Sequence, residues 1–132
     1  MIVRMFIPGK PVPYARTITG RTGFRFYPEP YKSYRKLFLA HAIKIRPNPD
    51  IKPPYAIEFV VILPKPKNPT YAWPSRGDKD NFEKGILDGL VAAGHLVDDR
   101  HVVYSQSWKM YGDPPGVEIK ISTAAVLSMG FL

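Results

Sequence analysis

Acidic residues are concentrated in one short part of the sequence. Six of the eleven Asp and Glu residues lie in the 22 residues from Asp78 to Asp99. The segment opens with Asp78-x-Asp80 and closes with the adjacent pair Asp98-Asp99. Neighbouring carboxylates repel one another, and proteins that concentrate them commonly use a cation to hold them together. The segment therefore predicts a metal centre built from carboxylate oxygens.

The middle of this segment has the spacing of an amphipathic helix. At about 100° per residue, Asp80, Lys84 and Asp88 fall on one stripe, and the apolar residues between them face the core. Asp80 has the position of an N-cap, and Glu83 completes a capping box. A purely structural interpretation is a cap with i, i+4 ion pairs worth about a few tenths of a kcal/mol each. That interpretation leaves the acid pairs at both ends of the helix unexplained.

The residue types restrict the metal. The chain has no cysteine, which excludes a thiol nucleophile, a disulfide framework and a Cys-based zinc site. It also has no paired-His motif, so hard oxygen ligands favour Mg²⁺, with Mn²⁺ as a substitute, over zinc.

The chain before the acidic segment is strongly basic. Residues 1–77 carry 14 Lys and Arg against 3 acids, and residues 78–132 carry 5 against 8, for a net charge of +8. The bases alternate with aromatic residues and continue into a Pro-rich loop, residues 64–77. Cations bind phosphates and aromatic rings stack on unpaired bases, although a basic half can also serve solubility and the loop can be a plain connector. The predicted DNA contacts are Lys10, Arg16, Arg21, Arg25, Lys65, Lys67, Arg76 and Lys79, with Tyr14, Tyr71 or Trp73 as stacking candidates.

A carboxylate-bound Mg²⁺ beside a basic surface is suited to phosphodiester hydrolysis. The metal polarises the phosphate and lowers the pKa of the attacking water, while a nearby lysine neutralises charge on the phosphorus oxygens. The residues therefore favour a metal-dependent nuclease. One alternative is a non-catalytic basic DNA-binding module whose acids are structural. Another is a less selective Mg²⁺ nuclease that acts on flaps or single strands.

The remaining segments predict the elements that must position this site. Residues 10–29, rich in Gly, Thr and Arg, indicate a hairpin or an exposed loop. The Gly-Asp-Pro-Pro stretch at 112–115 predicts that the last two strands form an antiparallel hairpin. The order is β-α-β-α-β-β, an α+β domain with helices packed on a mixed sheet. The predicted elements are strand 2–7, helix 30–46, strand 55–63, a helix from Asp80 to about Gly94, and strands 102–111 and 116–122.

The chain length of 132 residues is that of one domain. We expect a domain over 1–122 and an apolar C-terminal tail, 123–132, that packs on a partner chain or is disordered. No stretch approaches the roughly 20 apolar residues of a membrane span, and the start is too short for a signal peptide, so we expect no membrane contact and a cytoplasmic protein.

Three strings carry a family resemblance: GDKDNFEK at 77–84, LDGL at 87–90 and GHLVDD at 94–99. Together they closely resemble the signature of the RusA family of Holliday junction resolvases, D-x-D-N-x-x-K, then D-A/G-L, then G-x-x-x-D-D, without a gap. A weaker resemblance covers most of the chain, including the Gly-Lys-Pro-x-Pro turn and the strand with Lys109. It implies a homodimeric, Mg²⁺-dependent endonuclease of DNA recombination and repair that binds four-way junctions and nicks two strands symmetrically.

The resemblance also implies roles for individual residues. By position, the essential acids are Asp78, Asp80 and Asp99, and the essential lysine is Lys84. Asp98, as a metal ligand, and Asp88 match acids that also recur in the signature, which implies a supporting role for both. A homodimer suits a two-fold symmetric junction, with either the tail or an edge strand as its contact.

Overall fold

The computed structural model describes residues 1–125 of the chain. Two helices pack on one face of a mixed four-stranded sheet, and a two-stranded hairpin lies apart from it. The predicted α+β class and the order of the main elements are confirmed. The elements are β1 (Ile2–Pro8), β2 (Ile18–Thr19), β3 (Arg25–Phe26), α1 (Glu29–Ala42), β4 (Tyr55–Leu63), α2 (Lys79–Ala92), a 3₁₀ turn (Asp99–His101), β5 (Val102–Tyr111) and β6 (Gly116–Thr123).

The strand order in the sheet is β1-β6-β4-β5. Strand β4 pairs with β5 in parallel and with β6 in antiparallel orientation, and β6 pairs antiparallel with β1. Two neighbouring parallel strands need a connection that returns the chain to the end of the sheet at which the first strand began. Helix α2 makes this return between β4 and β5. The start of α2 therefore lies at the carboxyl ends of β4 and β5, and its end lies near the start of β5.

The prediction that the last two strands form a hairpin is wrong. Strand β4 lies between them, and β5 is an edge strand. The reason is burial: β6 presents Val117, Ile119 and Ile121 to the core, whereas Trp108 in β5 is 61% exposed. A strand with a buried face gains more from a central place in the sheet, and the turn residues at 112–115 carry no information about that choice.

The core lies between the sheet and the two helices. Alternate residues of β4, from Tyr55 to Val61, are buried against the helices. Phe82, Ile86 and Leu90 of α2 are buried as their spacing predicts. This fixes the opposite face of α2, which carries the charged residues, on the outside of the core.

Helix α1 ends earlier than predicted, at Ala42 instead of residue 46. The next residues form hydrogen bonds to the third residue before them instead of the fourth. Lys44 N–H donates to the His41 carbonyl, and Ile45 N–H donates to the Ala42 carbonyl. Nε2 of the buried His95 also lies 2.9 Å from the Ala42 carbonyl oxygen. This bond joins the ends of α1 and α2, a contact that the 3.6-residue period of α1 cannot encode.

Helix α2 begins one residue earlier than predicted, and Asp80 is not its N-cap. Gly77 (φ +80°) turns the chain, Asp78 stays extended, and the N–H groups of Asn81 and Phe82 donate to the Asp78 carbonyl. The Asp78 side chain makes no capping bond. Gly94 (φ +85°) follows the helix at the predicted position.

The end of the chain is partly described. Thr123 is the last residue of β6, one beyond the predicted strand, and Ala124 N–H donates to the Pro54 carbonyl at 2.7 Å. The rest of the predicted tail, residues 126–132, lies outside the described residues. Within residues 1–125 no helix has the length and apolar character needed to cross a membrane.

Gly89 tests the packing of α1 on α2. A Cβ at this position would lie 2.5 Å from Cδ1 and Cε1 of Phe38. We expect Gly89→Ala to lower the free energy of unfolding by about 1–3 kcal/mol in urea titrations. A Gly→Ala change inside a helix otherwise stabilises by about 1 kcal/mol. In a Phe38→Leu background the added destabilisation should disappear, and a stabilised Gly89→Ala protein would contradict this packing.

Candidate active site

The first acid pair lies at the start of α2. Asp78 is the extended residue before the helix, and Asp80 lies in its first turn. Both are exposed, and neither makes a salt bridge within the described residues. Their carboxylates are thus free of the local partners that a purely structural role requires.

Lys109 fixes the loop that leads into this pair. Its Nζ donates to the Gly77 carbonyl at 2.7 Å, and the side chain is half-buried. Lys109 lies near the end of β5, so the bond ties the loop to the sheet one residue before Asp78. In the sequence it stands out only as part of the strand that resembles the family, because this bond joins residues 32 positions apart.

The second acid pair lies at the other end of α2. Asp98 accepts a bond from Arg100 N–H at 2.9 Å, and its carboxylate lies 3.7 Å from Arg100 Nε. The backbone hydrogen bond is the main reason why the pKa of Asp98 is lowered. Asp98 therefore caps the 3₁₀ turn, and its neighbour Asp99 opens that turn without such a backbone bond.

Asp88 lies close to this second pair. Burial raises the pKa of Asp88, and the negative charge of Asp99 raises it further. Lys84 and Arg35 oppose the shift. Asp88, on the last turns of α2, and Asp99 thus share one electrostatic environment, a proximity that only the return of the chain after α2 creates.

The two acid pairs lie at opposite ends of α2. A helix rises about 1.5 Å per residue, so the ten residues from Asp78 to Asp88 span about 15 Å. Across residues 1–125, no three carboxylate or histidine side chains lie close enough together to hold one metal ion. The described chain therefore presents the predicted ligands as two separate pairs, called the first and second half-site below: Asp78 with Asp80, and Asp98 with Asp99.

Lys84 lies on α2 between the two half-sites. It is exposed, as predicted, and its Nζ lies 4.2 Å from the centroid of the Tyr14 ring. Tyr14, a predicted stacking residue, thus has one ring face against a protein cation. Sequence reasoning missed this contact, because Tyr14 and Lys84 are 70 positions apart.

A cleft of about 600 Å³ opens at the carboxyl ends of β4 and β5. Prolines supply much of its wall, and it reaches Gly77, directly before Asp78. Its charged lining residues are Lys10 and Arg76, and no described acid lines it. The cleft is therefore a rigid, positively charged approach to the first half-site.

All eight cations predicted to contact DNA are exposed. Lys10 and Arg76 line the cleft. The others are Arg16, before the hairpin, Arg21 and Arg25 in the β2–β3 hairpin, Lys65 and Lys67 in the Pro-rich loop, and Lys79, the first residue of α2.

Two aromatic rings project from the Pro-rich loop. Tyr71 and Trp73 stack on one another, with centroids 4.9 Å apart and planes 14° apart, and they are 47% and 59% exposed. The rings therefore do not fold back onto the core, as the aromatic residues of a plain connector would.

Comparison with known proteins identifies the family of the chain. The family model described as Endodeoxyribonuclease RusA matches residues 8–122, which include both acid pairs, the cleft and Lys84. No curated protein matches the chain significantly. The family match assigns the chain to the endodeoxyribonucleases. The chain belongs to the RusA family, whose members are Holliday junction resolving endonucleases.

Asp88 gives a test of the electrostatics at the second half-site. Its raised pKa means that the folded protein binds the proton more tightly than the unfolded chain does, so the charged form destabilises the fold at neutral pH. We expect Asp88→Asn to raise the melting temperature at pH 7. The difference should shrink as the pH falls through the pKa of Asp88, because the wild-type carboxyl becomes neutral.

The matched control is Asp50→Asn, which makes the same charge change at an exposed loop position. It should leave the melting temperature nearly unchanged. Equal shifts for the two variants would show that net charge, and not the environment of Asp88, sets the effect.

Proposed function

We propose that this protein is a Mg²⁺-dependent endodeoxyribonuclease that resolves four-way DNA junctions as a homodimer with two composite active sites. Membership of the RusA family supports the junction as substrate. The observation that carries the composite site is the length of α2, which separates two pairs of carboxylates that one ion needs together. In each composite site, Asp78 and Asp80 of one protomer face the partner's Asp99, with the partner's Asp98 in support.

Strand β5 is the surface that we propose for the dimer. It is an edge strand, and its exposed apolar side chains are Val103, Tyr104, Trp108 and Met110, between 45% and 61% accessible. An exposed apolar edge strand is a template for pairing with another strand. Two copies of β5 related by a two-fold axis pair antiparallel, so the start of one lies beside the end of the other.

Antiparallel pairing of two β5 strands would bring together acid pairs that lie at opposite ends of α2 in each chain. Asp99 lies just before the start of β5, and Lys109 near its end holds the loop that carries Asp78. Antiparallel pairing therefore brings the second half-site of one protomer toward the first half-site of the partner. The dimer gains two equivalent sites, which suits the cutting of two symmetric strands.

The donor set fits a hard divalent cation. The carboxylates of Asp78 and Asp80 are exposed and have no salt-bridge partner among the described residues. When bound there, Mg²⁺, or Mn²⁺ in its place, supplies polarisation of the phosphate and a lowered pKa for the attacking water. Lys84 lies on the same helix and neutralises charge that develops on the phosphorus oxygens.

The DNA reaches this site over the basic surface. Lys10 and Arg76 line the cleft that ends at Gly77, so a strand in the cleft delivers its phosphate beside Asp78. The exposed pair Tyr71 and Trp73 offers a stacking surface for bases that lose their partners at the junction. The remaining cations named above bind the phosphates of the arms.

Three DNA substrates test the function: a four-way junction, a flap and a linear duplex at one salt concentration with Mg²⁺. We expect symmetric nicks in the junction and much slower cutting of the other two. Equal rates on all substrates would indicate a less selective nuclease, and binding without a Mg²⁺-dependent product would indicate a DNA-binding module.

Asp80→Asn should reduce cutting by about two orders of magnitude or more, with junction binding retained, because a metal ligand and one repulsive charge are lost.

Mixed dimers test the composite site. Asp80→Asn and Asp99→Asn homodimers should both be inactive. In a heterodimer of the two variants, one composite site carries both changes and the other carries neither, so we expect single-strand nicks at up to half the wild-type rate. If each site belonged to one protomer, both sites would carry a change and the heterodimer would be inactive. Mixing two preparations of Asp80→Asn is the matched control.

A further inference from the structure

Three tyrosines form a closed cluster beside α2. The ring centroids lie 6.2 Å apart for Tyr14 and Tyr27, 5.4 Å for Tyr14 and Tyr31, and 5.1 Å for Tyr27 and Tyr31. Each pair meets edge to face, with planes 70° to 79° apart. Aromatic pairs favour this arrangement, so each ring restrains the other two.

The cluster is fixed to α2 at two points. Tyr14 N–H donates to the Asn81 carbonyl at 2.9 Å. Gly85 has no side chain to hold Tyr31 away, and a Cβ there would lie 3.3 Å from Cε1 of Tyr31 and 3.7 Å from Tyr14 N. These contacts set the Tyr14 ring at a defined place on the charged face of the helix.

The ammonium group of Lys84 lies on this ring. Its distance of 4.2 Å from the Tyr14 centroid is within the range of a cation–π contact. Asp80 and Asp88 stand four residues before and after Lys84, the spacing of helical ion pairs. Yet Lys84 forms no salt bridge within 4.0 Å in the described part of the chain. The ring, and not a carboxylate, holds the lysine.

We infer that Tyr14 is a positioning residue for Lys84, held in place by Tyr27 and Tyr31. This inference rests on the proposed function, because it assigns Tyr14 a role in cutting through the lysine that faces the phosphate. A carboxylate partner would cancel the charge of Lys84. A tyrosine ring attracts the ammonium with its quadrupole and leaves the full positive charge for the phosphate.

Tyr31 is suited to its place in the cluster because its phenol carries no charge. Desolvation, with a further contribution from Asp88, raises the pKa of Tyr31 to about 12. Its phenol is therefore protonated at physiological pH and adds no negative charge beside Lys84. The Arg35 guanidinium lies 5.7 Å from the centroid of the Tyr27 ring.

Two substitutions of Tyr14 distinguish the effect of its aromatic face from the effect of its side-chain volume. Tyr14→Phe keeps an aromatic face and should retain most of the cutting rate. Tyr14→Leu removes the face and should lower kcat on the four-way junction about tenfold, with KM changed by less than about twofold. In a Lys84→Ala background, Tyr14→Leu should have no further effect, because a positioning residue acts only through the group that it positions.

Nuclear magnetic resonance gives a readout that does not depend on activity. In the wild-type protein the ring current of Tyr14 should shift the Lys84 ε-methylene protons upfield. Tyr14→Phe should keep the shift and Tyr14→Leu should abolish it. Since the wild type alone shows whether the contact exists, failure of the Tyr14→Leu protein to fold would not weaken the test.

The outcomes separate this inference from the proposed function. If Lys84→Ala is inactive but Tyr14→Leu cuts like the wild type, or if Lys84 shows no ring-current shift, the inference on Tyr14 is overturned and the nuclease stands. If Lys84→Ala cuts as fast as the wild type, both the inference and the role of Lys84 are overturned. Equal losses for Tyr14→Phe and Tyr14→Leu would assign the effect to the hydroxyl and also overturn the inference.

Discussion

The direction of α2 is the constraint on which the site depends. Because β4 and β5 are parallel, the chain must return along the sheet between them, and α2 makes that return over about 20 Å. The acidic segment spans the whole return. One acid pair therefore stays at the carboxyl ends of the strands, where the cleft opens, and the other pair lies at the start of β5.

The separation of the two acid pairs along α2 is the reason why the edge strand β5 matters to the proposed site. An enzyme whose ligands all met within one protomer would have no need of an exposed apolar β5. Here the same strand leads away from Asp99 and, through Lys109, holds the loop before Asp78. In the proposed dimer, a second copy would close the open edge, cover Trp108 and its apolar neighbours and complete two sites in the same step. Under that proposal, dimer stability and metal binding would form one linked equilibrium.

The acidic and basic groups of the chain lie in different places, and their separation matters for binding DNA. Acids repel the phosphates that an endonuclease must approach, and the exposed cations of the first 77 residues offset this repulsion. The cleft places two of these cations, Lys10 and Arg76, directly before the first acid pair. Lys84 stands between the acid pairs without being neutralised by either, since the Tyr14 ring holds it.

Local sequence patterns were enough to predict the fold class, the main helices and strands, and the charged groups of the candidate site. The apolar run of β4, the 3.6-residue spacing of Phe82, Ile86 and Leu90, and the density of acids around α2 are local properties, and the family signature is contiguous. The non-local features depend on how these elements pack together. The place of β5 at the edge, the bond of Lys109 to Gly77, and the contact of Tyr14 with Lys84 join positions distant in the chain. Residue spacing shows which residues share a face of one element. The packing of different elements depends on the total burial of the sheet, and no single segment of the sequence contains that information.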